Sequence, residues 1–258
     1  MNSRAIKVFI KDIKEVFSSI AIWLPMFAIP LGLSFLLPYL TVYIAVYEAP
    51  SIASRIANLV SANISLPLEV RFIQYFSINV LAPVFLTIPV FTASVIAADS
   101  FAGEKERKTA ELLVSTPLSN KELILGKILA SFIPSVCLSF LVFLISYYVL
   151  QYASIKSFSY AALNPFNWFI ILLAAPLISL LTISIVVIVS AHVKGVKEAQ
   201  QITSLLVLPF ISLPFASILN IISFNLSFFI YLLIGLAILN ILVISFGIVT
   251  FDKEGLVR

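Results

Sequence analysis

The densest group of charged side chains in the sequence lies in residues 99–127, which read DSFAGEKERKTAELLVSTPLSNKELILGK. Ten of the 28 charged residues of the chain (16 Lys and Arg, 12 Asp and Glu) fall in this segment. Glu104 and Lys108, like Arg107 and Glu111, have the i, i+4 spacing at which opposite charges pair on one face of a helix. The segment therefore predicts a short helix that carries charges of both signs and is suited to contacting another molecule.

An apolar run follows these charges. Leu112 and Leu113 begin it, and the predicted helix ends at Pro117, which cannot continue a helix. Ser119 and Glu122 then form a capping box that starts the next helix. Consecutive large apolar residues are not expected in a connector that is surrounded by water. We therefore interpret residues 99–127 as a docking surface rather than a linker.

Elsewhere, side chains that could perform catalysis are scarce. His192 is the single histidine and Cys137 the single cysteine, and serines such as Ser184 have no basic partner in the apolar stretches around them. Gly126 and Lys127 lack the earlier glycine and the following Ser or Thr of a phosphate-binding loop. We therefore expect no catalytic residue, no bound cofactor and no metal site in this chain.

The charged segments are separated by long stretches without Asp, Glu, Lys, Arg or His. There are six of them: 18–46, 73–98, 128–150, 168–190, 202–222 and 228–250. About 20 apolar residues in a helix cross a hydrocarbon core about 30 Å thick, and only a helix or a closed barrel satisfies the backbone there. Hydrophobic residues make up 61% of the chain and charged residues 11%. The sequence therefore predicts an all-α integral membrane protein with six transmembrane helices.

The basic residues indicate the orientation of these spans. With the N-terminus inside, thirteen of the 16 Lys and Arg residues lie in cytoplasmic segments, and only Arg55, Arg71 and Lys156 lie outside. Such an excess is typical of cytoplasmic loops. We expect a multi-pass protein of the plasma membrane with both termini in the cytoplasm. The basic loops explain the pI of about 9.1, so we expect no nucleic acid partner.

Before the first span, residues 1–17 predict an amphipathic helix lying in the membrane interface, with lipid as its partner. Its apolar residues recur at helical spacing: Ile6, Phe9, Ile10, Ile13 and Phe17. The remaining residues, 18–258, form the predicted six-span domain. Within it, Pro209 and Pro214 make the fifth span the one most liable to be broken or re-entrant. We expect Lys121 and Lys127 to extend towards the lipid headgroups.

The segment after the second span resembles the signature of permease subunits of the ATP-binding-cassette (ABC) type-2 exporter family. In that family, a pattern like D-x-x-x-G-E-[KR]-E-x-x-T-x-E-x-L-L-x-[ST]-P-[LVI]-S precedes a G-K pair. The matching residues here are Asp99, Gly103, Glu104, Lys105, Glu106, Thr109, Glu111, Leu112, Leu113, Ser115 or Thr116, Pro117, Ser119, Gly126 and Lys127. Lys108 departs from the pattern, because many relatives carry Gly there.

The resemblance implies a division of labour between subunits. Such permeases form a two-fold dimer, here expected to be a homodimer, and bind two cytoplasmic ABC ATPase subunits, which carry ATP and Mg. The coupling helix between spans two and three would dock on the ATPase through Asp99, Gly103, Glu104, Lys105, Glu106, Arg107, Thr109, Glu111, Leu112, Leu113 and Pro117. A second contact would lie in residues 191–201, through Lys194, Lys197 and Glu198. ATP-driven closure would then rock the spans between inward-facing and outward-facing states.

Three other functions remain open from the sequence. A non-transporting membrane scaffold would use the same docking surface to couple an ATPase to another membrane process. An ATP-independent channel is disfavoured, because the spans carry no charged selectivity or coupling residues. An intramembrane enzyme is disfavoured by the lack of a base beside any nucleophile. If the chain is an exporter subunit, its apolar spans favour hydrophobic or amphipathic cargo.

Overall fold

The computed structural model of the chain describes residues 3–47, 66–107, 120–161, 163–190, 192–193, 195–219, 221–222 and 224–250. Over these ranges the regular secondary structure is entirely helical, and no strand is present. The all-α class predicted from the sequence is therefore confirmed for the described part of the chain.

The first two helices meet at a single residue, Ser19. Helix α1 is Ser3–Ser18 and helix α2 is Ile20–Tyr47, which covers the predicted first span. The amphipathic sequence of α1 gives way to a uniformly apolar one in α2, as expected when a helix on the membrane surface leads into a spanning helix. The Phe17 and Phe27 rings, with centroids 5.6 Å apart, pack across this junction.

The predicted second span is longer than expected and is interrupted. It consists of α3 (Leu68–Phe76), a π-helical turn (Ser77–Leu81), α4 (Ala82–Phe85) and α5 (Thr87–Glu106). The Ala82 N–H donates to the Ser77 carbonyl, which gives the turn its i→i+5 bond. The charged residues 99–106 thus continue the spanning helix instead of forming a separate one.

Helix α6 follows residues 108–119 and spans Asn120–Phe158, 39 residues that include the predicted third span. At 1.5 Å per residue it is about 58 Å long, so it extends well beyond a hydrocarbon core of about 30 Å. It begins directly after Ser119, the predicted capping residue, which itself lies outside the described residues.

The predicted fourth span is divided into two shorter helices, α7 (Pro165–Leu172) and α8 (Ala174–Ser190), on either side of Leu173. The predicted fifth span is also divided, into α9 (Val196–Ser204) and α10 (Val207–Ile218). Its interruption lies at residues 205–206, just before Pro209 instead of at either proline. Helix α11 (Leu226–Thr250) covers the predicted sixth span.

Among the described residues, five helical stretches are long and apolar enough to cross a membrane, which is the architecture of a multi-pass membrane protein. They are Met26–Tyr47, Leu68–Glu106, Glu122–Phe158, Val196–Ile218 and Ser227–Ser245. Helix α8 is apolar but shorter, so a count of six spans remains a prediction.

Many polar groups within the apolar helices form hydrogen bonds locally or between helices, whereas the buried Ser77 and Ser190 hydroxyls and Asn240 Oδ1 have no partner within the described residues. The hydroxyl groups of Ser94 and Ser184 donate to the carbonyls of Phe91 and Leu180, as the sequence predicted for such serines. Because Pro38 has no N–H, it leaves the Ser34 carbonyl without its usual helical donor. The Ser146 hydroxyl of α6 donates to that carbonyl at 3.2 Å, so the proline is accommodated by a bond between helices.

Helix α5 lies at the centre of the bundle. The candidate span that contains it is the most buried of the five, whereas the one in α11 is the most exposed. Beside it, the Phe85 and Phe143 rings meet edge to face, and Trp168 donates its indole N–H to the Phe143 carbonyl at 3.0 Å. This packing holds α4, which directly precedes α5, against α6 and α7.

Candidate functional site

Seven charged side chains from three helices meet at the end of α5, and we call them the charged cluster. They are Lys11, Asp12 and Glu15 of α1, Asp99, Glu104 and Arg107 of α5, and Lys127 of α6. Positions three or four apart in a helix are neighbours on its surface, as Lys11 and Glu15 are, and Glu104 and Arg107. Four carboxylates and three cations are thus concentrated where the chain enters and leaves residues 108–119.

Lys127 is the innermost member of the cluster, with 1% of its surface exposed. Its ammonium group lies 2.5 Å from Glu104 Oε2, donates to the Ser100 carbonyl, and is 5.1 Å from the centre of the Phe101 ring. The prediction that Lys127 reaches the headgroups is therefore wrong. A buried cation needs this full set of partners, because burying a charge without compensation is strongly unfavourable.

The close approach of α1 to α6 explains why Lys127 cannot extend outwards. A Cβ atom on Gly126 would lie 2.7 Å from the Val8 Cβ atom and 2.9 Å from the Ala5 carbonyl oxygen. Only glycine allows the two backbones to pack this closely. Helix α1 thus covers the start of α6 and encloses the neighbouring lysine.

Asp12 faces the same interior, with 4% of its surface exposed. Its Oδ2 atom accepts a hydrogen bond from the Ser100 hydroxyl at 2.6 Å and lies 4.0 Å from Lys127 Nζ. Its Oδ1 atom accepts none within the described residues. Burial raises the pKa of Asp12, and this effect outweighs the opposing influence of Lys127, Ser100 and Lys11; Glu104 adds to the rise.

The outer part of the cluster is more exposed. Lys11 Nζ donates to Glu104 Oε1 at 2.9 Å, so Glu104 bridges lysines from two helices. Partial burial lowers the pKa of Lys11, but the hydrogen bond and negative charge of Glu104 outweigh it and raise that pKa overall. Arg107 similarly joins Asp99 of its own helix, at 2.5 Å, to Glu15 of α1. Helix α1 is therefore bound to the end of α5 by two ion pairs.

A further contact connects the end of α5 to α9. Glu106 Oε2 accepts a hydrogen bond from the backbone N–H of Val196, at 3.0 Å. Val196 is the first residue of α9, where unpaired N–H groups and the helix dipole favour a negative charge. The two segments predicted to contact a partner, 99–127 and 191–201, are thus joined to each other through Glu106.

The predicted docking residues occupy different environments. Asp99, Gly103 and Glu104 are buried, whereas Glu106, Arg107, Lys197 and Glu198 are exposed and Lys105 is partly buried. Thr109, Glu111, Leu112, Leu113, Pro117 and Lys194 lie outside the described residues, as does Lys108. A docking role for the whole set remains a prediction, but the buried members already have partners inside this chain.

The sequence pattern did not indicate the α1 residues of the cluster. The apolar spacing drew attention to Ile6, Phe9, Ile10, Ile13 and Phe17, but the face that packs on the protein consists of Ala5, Val8, Asp12 and Val16. These four residues also have helical spacing, with a carboxylate among small apolar side chains. From this spacing the sequence could have predicted a second helix face, which packs on the protein and contains one buried charge.

Within the described ranges, no three His, Cys, Asp or Glu side chains are grouped so that they could hold a metal ion. The carboxylates of the cluster instead face lysine and arginine. Chemically, the arrangement is a set of ion pairs that binds helices to one another.

Comparisons with known proteins give one match. A family model described as "ABC-2 family transporter protein" matches residues 6–229 of the 258. No curated protein and no solved structure matches the chain. The matched range contains the whole charged cluster, including its α1 residues.

Proposed function

Because the chain belongs to the ABC-2 family of transporter proteins, we propose that it is the membrane-spanning permease subunit of an ATP-driven exporter. In this proposal a separate cytoplasmic ABC ATPase binds and hydrolyses ATP with Mg, and this chain has no ATP site of its own. Two permease copies, arranged as a homodimer, act with two ATPase subunits. All six predicted spans cross the plasma membrane, and both termini lie in the cytoplasm.

The observation that carries the proposal is the position of the charged cluster. It flanks residues 108–119 on both sides, through Arg107 before them and Lys127 after them. The sequence predicts the coupling segment at residues 99–127, which include them. A force applied there would act directly on α5 and α6, because the cluster lies at their ends.

The contacts at the end of α5 also transmit that force to the neighbouring helices α1 and α9. Ion pairs connect α5 to α1, and Glu106 connects it to α9. When the ATPase moves the coupling helix, these contacts make α1, α5, α6 and α9 move together as a rigid body. Rigid-body displacement of this kind is a common form of switching between two states.

The substrate class follows from the absence of charged residues in the six predicted spans. A pathway between two such subunits would be lined by Phe, Leu, Ile and Ser side chains, which suit a hydrophobic or amphipathic molecule. Transport of a small hydrophilic ion would contradict this assignment.

The test is co-purification with the candidate ATPase in nanodiscs, followed by ATP hydrolysis and ATP-dependent substrate movement in vesicles. We expect a complex of two permeases with two ATPases, and hydrolysis that depends on this chain. The Leu112→Ser/Leu113→Ser variant should insert into membranes but bind the ATPase less well. Normal binding by this variant would show that residues 108–119 do not dock the ATPase, and binding without substrate movement would favour a scaffold.

A further inference from the structure

The surface of α1 divides into three strips, since successive residues of a helix lie about 100° apart. The inner face, Ala5, Val8, Asp12 and Val16, is buried against the rest of the protein. Next to it lies an apolar strip consisting of Ile6, Phe9, Ile10, Ile13 and Phe17. Beyond that lies a basic strip consisting of Lys7, Lys11 and Lys14, all three of them exposed.

Within the described residues, the apolar strip is only partly covered by this chain. Ile10 and Phe17 keep 44% and 45% of their surface exposed. The strip continues onto α2, whose residues Ile20, Leu24 and Ile29 are also exposed. Because α2 contains a candidate span, this surface must be covered by lipid along α2, and the same lipid can cover the adjoining strip on α1.

The charges on α1 are separated by sign. The acidic residues Asp12 and Glu15 are held by Ser100, Lys127 and Arg107 on the side that faces the protein. Lys11 pairs with Glu104 at the edge of the cluster. Lys7 and Lys14 form no ion pair within the described residues. The outward surface of α1 therefore presents uncompensated positive charge directly beside an apolar strip.

We propose that the outward surface of α1 binds anionic phospholipid, with the apolar strip among the acyl chains and Lys7 and Lys14 on the headgroups. The two lysines are seven residues apart, about 10 Å along the helix axis, so each can engage its own headgroup. A basic residue close to an anionic membrane surface changes a binding equilibrium by about fivefold. Lipid is favoured over a protein occupant because the strip is continuous with the exposed surface of α2.

This binding has a consequence for the charged cluster. The inner face of α1 covers Lys127 and Glu104, so any interaction that holds α1 in place also keeps these charges covered. Anionic lipid would therefore stabilise the connection between α1, α5 and α6. The inference concerns α1 alone and does not depend on the proposed transport function.

The test compares the full chain in nanodiscs of phosphatidylcholine with nanodiscs that also contain phosphatidylglycerol, without ATPase or nucleotide. Hydrogen–deuterium exchange of residues 3–18 is the readout. We expect phosphatidylglycerol to slow this exchange by roughly fivefold or more, and the effect to decrease at high salt. Lys7→Gln/Lys14→Gln should remove most of the difference between the two lipids, and Lys7→Arg/Lys14→Arg should retain it.

Lys156→Gln is the matched control, because Lys156 is exposed near the opposite end of α6. Equal exchange in the two lipids would overturn the proposal, as would an equal loss of the lipid effect in the control. In a further arm the ATPase subunit is added to the phosphatidylcholine nanodiscs, and slower exchange there, with no effect of phosphatidylglycerol, would assign the strip to a protein partner. That result would also overturn the proposal.

Discussion

Lys127 Nζ and Glu104 Oε2 lie 2.5 Å apart in the interior of the protein, on helices joined only by residues 108–119. This ion pair therefore closes the base of the predicted coupling segment. Two further contacts join α5 to α1. Glu104 pairs with Lys11, and the Ser100 hydroxyl donates a hydrogen bond to Asp12. The buried pair thus joins three helices that otherwise meet mainly through small apolar side chains.

Replacing Lys127 by methionine tests the importance of this pair. The variant Lys127→Met leaves Glu104 and Asp12 in a buried site without their main cation, and we expect a loss of about 3–5 kcal/mol of stability. Thermal unfolding in detergent measures this loss. Adding Glu104→Leu should recover part of it, because an apolar pair can replace a buried ion pair. Lys156→Met is the control, and a double variant as unstable as the sum of the single changes would contradict the prediction.

Gly126 allows α1 to approach α6, so Gly126→Ala should displace α1. The added Cβ atom would clash with Val8 and with the Ala5 backbone, at an expected cost of about 1–3 kcal/mol. We expect faster hydrogen exchange across residues 3–18 and little change in α11. Gly32→Ala and Gly235→Ala are matched controls, because nothing lies within 4 Å of a Cβ atom at either position. If Gly126→Ala exchanges like these controls, the close packing does not hold α1.

Glu106 should stabilise the first turn of α9. Glu106→Ala removes the acceptor of the Val196 N–H, and loss of a capping interaction costs about 1 kcal/mol. We expect exchange of the first amides of α9 to become roughly fivefold faster. Glu106→Gln should have a smaller effect, since its amide oxygen still accepts the bond. Lys197→Ala, an exposed change on the same helix, is the control, and equal exchange in all variants would contradict the capping role.

The pH dependence of stability should carry a contribution from Asp12. Its pKa is raised in the folded protein, so the folded state binds this proton more tightly than the unfolded state does. This stabilising contribution is fully present below the ordinary pKa of 3.8 and is lost as pH rises through the raised pKa. Lys11, whose pKa is also raised, contributes stability that is lost only above its ordinary pKa of 10.5.

The measurement compares wild type with Asp12→Asn from about pH 4 to 8, a range in which the contribution of Asp12 changes with pH and that of Lys11 stays constant. Wild type should lose stability relative to Asp12→Asn as the pH rises. Lys127, Lys11, Glu104 and Ser100 surround residue 12 in both proteins, so the two proteins differ in the carboxyl group alone. A difference that stays constant with pH, or that grows in favour of wild type, would contradict the raised pKa.

The helical class and most of the spans could be predicted from the sequence, because long stretches without charge admit few other structures. The charged motif also identified the correct end of α5. The orientation of its side chains could not be predicted, since Glu104 turns inward only because Gly126 brings α1 against α6. The burial of Lys127 could not be predicted either, because its environment depends on α1, a helix more than a hundred residues earlier in the chain.

The interruptions of the spans were predictable in kind but not in position. Prolines indicated a break in the fifth span, yet the helix ends at Ser204, before Pro209. The π-helical turn at Ser77–Leu81 had no sequence signal beyond Pro83, which cannot donate to the Asn79 carbonyl. The side-chain Oδ1 atom of Asn79 accepts a hydrogen bond from the Ser217 hydroxyl of α10 at 2.6 Å, a contact that depends on the packing of distant helices.

That π-helical turn determines the directions in which the side chains of the following helices, α4 and α5, point. One extra residue in a turn rotates the following helix by about 100° relative to an uninterrupted α-helix. Deleting one residue between Ser77 and Leu81 would restore regular winding, but it would also turn Asp99 and Glu104 away from Lys11 and Lys127. The length of a turn far along the same helix therefore sets the direction in which the charges at its other end point.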